Sequence, residues 1–195
     1  MSTSTLEDQM ADKRERVLEA ALTLFAEKGF DGTAVPEIAR AAGVGAGTIY
    51  RYFESKDVLV NALYQREKLA AMDVAMKGFP IDATPRAQFA HLFHKAIDYA
   101  LKHKDSVCFM EHHHHGAYLD DESQALERRT MELAEAFVQV SIERQVTKDV
   151  EPQVLISVVW GGVARLLRQV WDGHLELSEV VLSQLENVLW QAVRV

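Results

Sequence analysis

The stretch Thr33–Phe53, TAVPEIARAAGVGAGTIYRYF, decides the fold. It reads as helix, tight turn, helix. Thr33 is placed to cap a helix with its hydroxyl, Pro36 stands in the first turn where a missing N–H costs little, and Val35, Ile38, Ala39 and Ala42 recur at helical spacing. Gly43 breaks that helix, and Val44, the lone apolar turn residue, plugs the corner. From Gly45 a second helix sends Ile49, Tyr52 and Phe53 inward and leaves Ala46, Gly47, Thr48, Tyr50 and Arg51 outward. This is the anatomy of a helix-turn-helix that reads DNA.

The flanking residues brace that pair. A helix from Ala11 or Asp12 to Lys28 puts Val17, Ala21, Leu24 and Phe25 on one face and ends at Gly29 as a left-handed cap. The polar residues 1–10 are expected to be a disordered tail. Ser55 caps a fourth helix that runs to about Lys77, ahead of Gly78 and Pro80. Lys56 in its first turn opposes the helix dipole, which a phosphate partner would explain.

The ordered set RVLEAALTLF at 16–25, Gly29-Phe30, Thr33, EIA at 37–39, AGV at 42–44, GTIY at 47–50, Tyr52-Phe53, Lys56 and Leu59 resembles the N-terminal domain of the TetR family of transcriptional regulators. Beyond about residue 75 the resemblance is architectural only. It implies an all-α chain: a disordered tail at 1–10, a three-helix DNA-binding domain at 11–56, a linker helix at 55–78, and a larger effector-binding and dimerisation domain at 79–195. It also implies that the linker helix's tilt sets the spacing of two readers in a dimer.

Groove dimensions assign roles to the reader. The second helix enters the major groove with Gly45, Ala46 and Thr48 nearest the base edges and with Tyr50, Arg51, Thr33 and Lys56 on phosphates. An alternative role for Arg51 is a guanine contact. Many relatives present a polar or basic side chain where this chain has Gly45-Ala46-Gly47. Close backbone approach, methyl contacts to thymine and readout of site shape are therefore expected.

Composition bounds these readings. The chain has 195 residues, 48% of them apolar, and a net charge of −8. Residues 1–56 hold seven Lys or Arg against nine Asp or Glu and the remainder fourteen against twenty, so the reader is not a basic domain. Affinity must come from a few placed groups, helix N-termini and dimerisation. One cysteine, Cys108, excludes an internal disulfide and reads as a small buried residue. No apolar run is judged long enough to cross a bilayer, and MSTSTLEDQ is not a signal peptide, so a soluble cytoplasmic protein is expected.

The second half reads as helices throughout. Thr84-Pro85 opens one to about His103, Ser106 begins a shorter one, Asp120 or Asp121 caps the next, and Glu151-Pro152 opens VLISVVWGGVARLLRQVW, apolar on more than one face. Gly161-Gly162 points to close helix approach. Ser178 caps the last helix. Two C-terminal helices this apolar suggest a homodimer through a four-helix interface.

By the family resemblance the C-terminal domain binds a small effector that releases DNA. Phe89, Phe93, Phe109, Met110, His113, Tyr118, Phe137 and Trp160 are the candidates for lining its cavity, suited to an amphipathic or aromatic ligand. No cofactor is expected. The run His112–His115 invites a metal, but successive helical residues point about 100° apart, so only His112 and His115 share a face and a third ligand such as His91, His94, Glu111 or Asp120 is needed. The reading is a non-enzymatic DNA-binding regulator, most simply a repressor with a double-stranded operator, a small-molecule effector and no membrane partner. The alternatives are a metal-responsive regulator and a metal-dependent enzyme, the latter lacking a zinc-hydrolase spacing or a nucleophile with its base.

Overall fold

The computed structural model describes residues 3–113 and 117–195, with side chains from Met10 to Glu111 and from Ala117 onward. The described residues form nine α-helices and no strand: α1 (Thr3–Lys28), α2 (Val35–Ala41), α3 (Ala46–Tyr52), α4 (Lys56–Met76), α5 (Pro85–Lys102), α6 (Lys104–His113), α7 (Asp121–Glu143), α8 (Pro152–Trp171) and α9 (Glu179–Val193). Local chemistry sets many of their ends. Ser55 Oγ accepts from Val58 N at 3.1 Å, Thr84 Oγ1 from Ala87 N at 3.3 Å, Asp120 Oδ1 from Ser123 N at 2.8 Å and Ser178 Oγ from Val181 N at 3.3 Å. Gly29 and Gly43 adopt φ of 71° and 65°, the left-handed conformation that glycine enters without steric cost.

The helix of residues 11–28 starts upstream of its expected boundary. α1 begins at Thr3, and Leu6, Glu7, Gln9 and Met10, all good helix formers, carry it through the segment read as a tail.

The chain divides into two compact units: residues 1–70 with 103–127, and residues 71–102 with 128–195. The first differs from the contiguous 11–56 domain read from sequence, because α6 and the start of α7 join the helix-turn-helix. Its core joins Val17, Leu18, Ala21 and Phe25 of α1, Ile38 and Ala39 of α2, Ile49 of α3, and Leu59, Leu63 and Tyr64 of α4 to Phe109 of α6. Phe25 stacks on Phe109 with centroids 6.1 Å apart. Buried Asn61 donates to Asp57 O at 2.8 Å and Tyr118 O at 2.9 Å and accepts from Asp120 N at 2.9 Å, fastening residues 118–120 to α4. Arg66 bridges Glu67 at 2.6 Å and Glu19 at 2.9 Å and also meets Glu15, pinning α4 to α1.

In the second unit α9 packs against both α8 and α5. Leu155, Val163 and Leu167 of α8 and Leu189 and Val193 of α9 are buried. A Cβ on Gly162 would stand 2.6 Å from Leu189 Cδ2, so this glycine permits the close approach of α8 and α9. Gly161 differs: it is exposed, and a Cβ there meets nothing within 4 Å. One expectation about α8 is overturned. Its 20 residues include an 18-residue stretch of mean hydropathy 1.3, so α8 is long and apolar enough to cross a membrane by length and composition only. Arg165 and Arg168 interrupt the run of apolar letters without lowering the average enough to exclude it.

Candidate nucleic-acid interface and effector cavity

Helices α2 and α3 are held as a unit by Ile38, Ala39, Ala42 and Ile49, all buried, with Val44 packed on the same core. The corner is closed by Val44 N donating to Ala39 O at 2.9 Å. What remains outward at the start of α3 is nearly bare backbone. Gly45, Ala46 and Gly47 are exposed, Thr48 is half-buried, and Tyr50 and Arg51 project into solvent one turn later. A Cβ on Gly47 would meet nothing within 4 Å, so folding makes no demand for glycine there.

The other two residues read as phosphate contacts are engaged within the fold. Lys56 Nζ lies 4.0 Å from the centroid of Phe30, a cation–π contact that fixes the position of its ammonium. Thr33 is corrected. It is buried, and its hydroxyl donates inward to Gly29 O at 2.8 Å and lies 3.2 Å from Leu24 O, while Ala34 is the N-cap of α2 and no side chain caps it. Gly29 O lies just past the end of α1, beyond the reach of its helical amides, and takes this hydroxyl in place of an α2 amide. Lys28 meets Glu37 across the same junction and, by hydrogen bonding, holds that carboxyl below its ordinary value.

The second unit holds a cavity of about 520 Å³ that is partly open to solvent. Of the residues read as its lining, Phe89, Phe93, Phe137 and Trp160 are brought together there. Phe109, Met110 and Tyr118 are not. All three pack in the core of the first unit, Phe109 against Phe25 and Tyr118 against Phe30, because their apolar faces are covered by α1 and its C-terminal turn. His113 falls outside the described side chains, as do His112, His114 and His115.

The lining that sequence reasoning missed includes Met72 and Met76 at the end of α4, Phe79, Leu92, Thr130, Ser141, Thr147 and Trp190. Thr130 and Ser141 interrupt the apolar stripe of α7, which was the one available signal. Beside the cavity, Glu186 of α9 bridges Arg86 at 2.5 Å and His94 at 2.9 Å, and Arg86 also lies over the rings of Trp190 and Phe89. His91 is engaged with Ala75 O at 3.1 Å. Among the described residues no three His, Cys, Asp or Glu are grouped to hold a metal ion.

Two family models match the chain. Residues 17–63 match "Bacterial regulatory proteins, tetR family" and residues 67–195 match "Tetracyclin repressor-like, C-terminal domain". The chain belongs to the TetR family of transcriptional regulators. Its family and relatives are DNA-binding regulators, not enzymes.

Relatives of this TetR-family protein agree. YuxN, an HTH-type transcriptional regulator of Bacillus subtilis, is 31% identical over 102 residues, 50% of this chain and 34% of that protein. KstR2, an HTH-type transcriptional repressor of Rhodococcus jostii, is 43% identical over 51 residues, 26% of this chain and 25% of that one. The chain spans about a third or less of the length of these curated relatives. Among solved structures, a TetR family transcription regulator from Marinobacter aquaeolei VT8 superposes with a TM-score of 0.86 at 24% identity, covering 96% of this chain and 98% of that one. A TetR-like transcriptional regulator from Rhodococcus sp. RHA1 gives 0.72 at 22% identity, with 92% and 94% covered. At these identities the likeness is one of fold.

Proposed function

We propose that this regulator is a cytoplasmic homodimeric repressor that leaves its operator when a small molecule fills the cavity of the second unit. The observation that carries the DNA-reading part is the exposed Gly45-Ala46-Gly47 start of α3. A glycine inside a helix costs about 1 kcal/mol relative to alanine, and Gly47 has no intramolecular contact to explain that cost. Close approach to a groove edge supplies the reason. Ala46 and Thr48 then offer methyl groups to thymine, and Arg51, Tyr50 and Lys56 hold the phosphates on either side.

The dimer is supported by α8 and α9. Val154, Val158, Trp160, Val180 and Val188 are exposed apolar residues, and Gly161 on the same helix as the first three leaves room for a neighbouring backbone. The release step is supported by α4, whose residues Leu59 and Leu63 sit in the core with the reader while Met72, Ala75 and Met76 line the cavity. A ligand that favours one position of Met72 and Met76 over another thereby biases α4, and the differential affinity is the switch.

Fluorescence anisotropy against DNA flanking its own gene, beside a scrambled duplex and at two salt concentrations, tests the reading. Tight binding to one palindromic segment is expected, weakened in Arg51→Ala and Lys56→Ala, and abolished in Gly47→Leu without loss of helicity. Equal, weak binding to both duplexes would sink it. The metal-responsive alternative rests on His112–His115, outside the described side chains, and elemental analysis of DNA-binding-competent protein decides it.

A further inference from the structure

Among the described residues the cavity wall has no aspartate, glutamate, lysine, arginine or histidine; its hydroxyl-bearing members are Thr130, Ser141 and Thr147. Thr147 stands apart. It is 7% exposed, and its Oγ1 is buried with no hydrogen-bond partner among the described residues. Thr130, by contrast, donates to Met72 Sδ at 3.3 Å. Leaving a buried hydroxyl unpaired is unfavourable, and such a group calls for a partner that the described residues do not supply.

The backbone cannot swing to find one. Thr147 forms an antiparallel bridge with Arg194, Lys148 N donates to Val193 O at 2.8 Å, and Val195 N donates to Val146 O at 3.2 Å. Just upstream, Gln145 holds a left-handed φ of 56°, which sharpens the turn out of α7. As placed, Oγ1 is sealed from the cavity space, and the proposed pairing takes a turn about the Cα–Cβ bond to the next staggered well, which re-aims Oγ1 and puts the methyl in another direction. Ser141 adjoins this residue, its carbonyl accepting from Thr147 N at 3.4 Å. The cavity therefore has a hydroxyl-bearing end, with Phe89, Phe93, Phe137 and Trp190 among the apolar remainder.

We infer that the cavity takes an uncharged, mainly apolar ligand carrying one hydroxyl or carbonyl group, and that this group pairs with Thr147 at the end shared with Ser141. The inference rests on reading the cavity as the effector site and specifies its ligand class. A carboxylate or ammonium would find no charged side chain on the described wall, the nearby Arg86 being paired with Glu186, and is selected against. The aromatic wall favours a flat ring system, and the volume lies within the range of small-molecule sites.

Calorimetric titration of the full chain with 2-naphthol, 2-methylnaphthalene and 2-naphthoate tests it. 2-Naphthol binds, 2-naphthoate does not, and Thr147→Val weakens 2-naphthol about tenfold while 2-methylnaphthalene changes by less than about twofold. Thr147→Ala behaves like the valine variant, and Thr147→Ser keeps the wild-type preference. The inference is overturned if 2-naphthoate binds as well as 2-naphthol, if neither neutral probe binds, or if a folded variant lacking the hydroxyl keeps the wild-type preference. These titrations contain no DNA. A bound probe that fails to release the operator counts against the release reading alone and leaves the ligand class standing.

Discussion

Tyr118 stacks on Phe30 with ring centroids 4.1 Å apart, and the same ring, which also stacks on Phe25, carries the Lys56 ammonium 4.0 Å from its centroid. Residues widely separated in sequence thus set the direction of Lys56, the lysine proposed to meet a phosphate. Tyr118→Ala removes the stack but keeps the backbone carbonyl that accepts from Asn61. We expect a loss of about 1–2 kcal/mol, read as a lower midpoint in urea at unchanged slope. A midpoint equal to the wild type's would show that the stack contributes nothing.

Thr33 separates folding from binding. Thr33→Val keeps the shape and removes a donor that faces Gly29 O and Leu24 O. Stability should fall by about 1–2 kcal/mol, while the dependence of operator affinity on salt stays as in the wild type. A shallower salt dependence would restore Thr33 as a phosphate contact.

The two glycines of α8 should respond in opposite senses. Gly162→Ala forces a methyl onto Leu189 and should destabilise by about 1–3 kcal/mol. Gly161→Ala meets nothing in its own chain and should stabilise the isolated subunit by about 0.5–1 kcal/mol through helix propensity. In the proposed dimer the same methyl intrudes on the neighbouring copy. Sedimentation should then show weaker self-association for Gly161→Ala, and unaltered association would remove Gly161 from the interface.

Tyr64 predicts an alkaline limb of stability. Burial pushes its phenol above the ordinary value of 10.0, and the hydrogen bond it donates to Glu127 at 2.6 Å pushes the same way. The folded state keeps this proton at pH values where the unfolded chain has lost it. Its contribution is therefore complete below about pH 10 and declines as pH rises beyond that. Comparing urea midpoints at pH 8 and pH 10.5, Tyr64→Phe should lose less stability across the interval than the wild type. Equal losses would mean that Tyr64 does not contribute to that limb.

Features that depend on neighbours in sequence were readable from the chain. Ser55, Asp120 and Ser178 cap helices because each needs only an amide a few residues on, and Gly29 and Gly43 turn the chain because only local sterics decide a positive φ. The apolar spacing of Ile38, Ala39, Ala42 and Ile49 likewise specified the reader, since one helical period sorts inward from outward. The same spacing could not tell which core a residue enters. Phe93 and Phe109 look alike as letters on amphipathic helices, yet one lines the cavity and the other is sealed against Phe25.

What the sequence by itself determined is a helix-turn-helix whose second helix opens on a bare glycine-alanine stretch, followed by helices apolar enough to need partners. Only the tertiary structure decided that residues 103–127 complete the reader's core, that Thr33 faces inward, and that Ser141 and Thr147 come together in the cavity wall. The reason is physical. Caps, turns and helical faces are fixed by interactions over a few residues, whereas a buried hydroxyl or ring is assigned its partner by whichever distant surface packs against it.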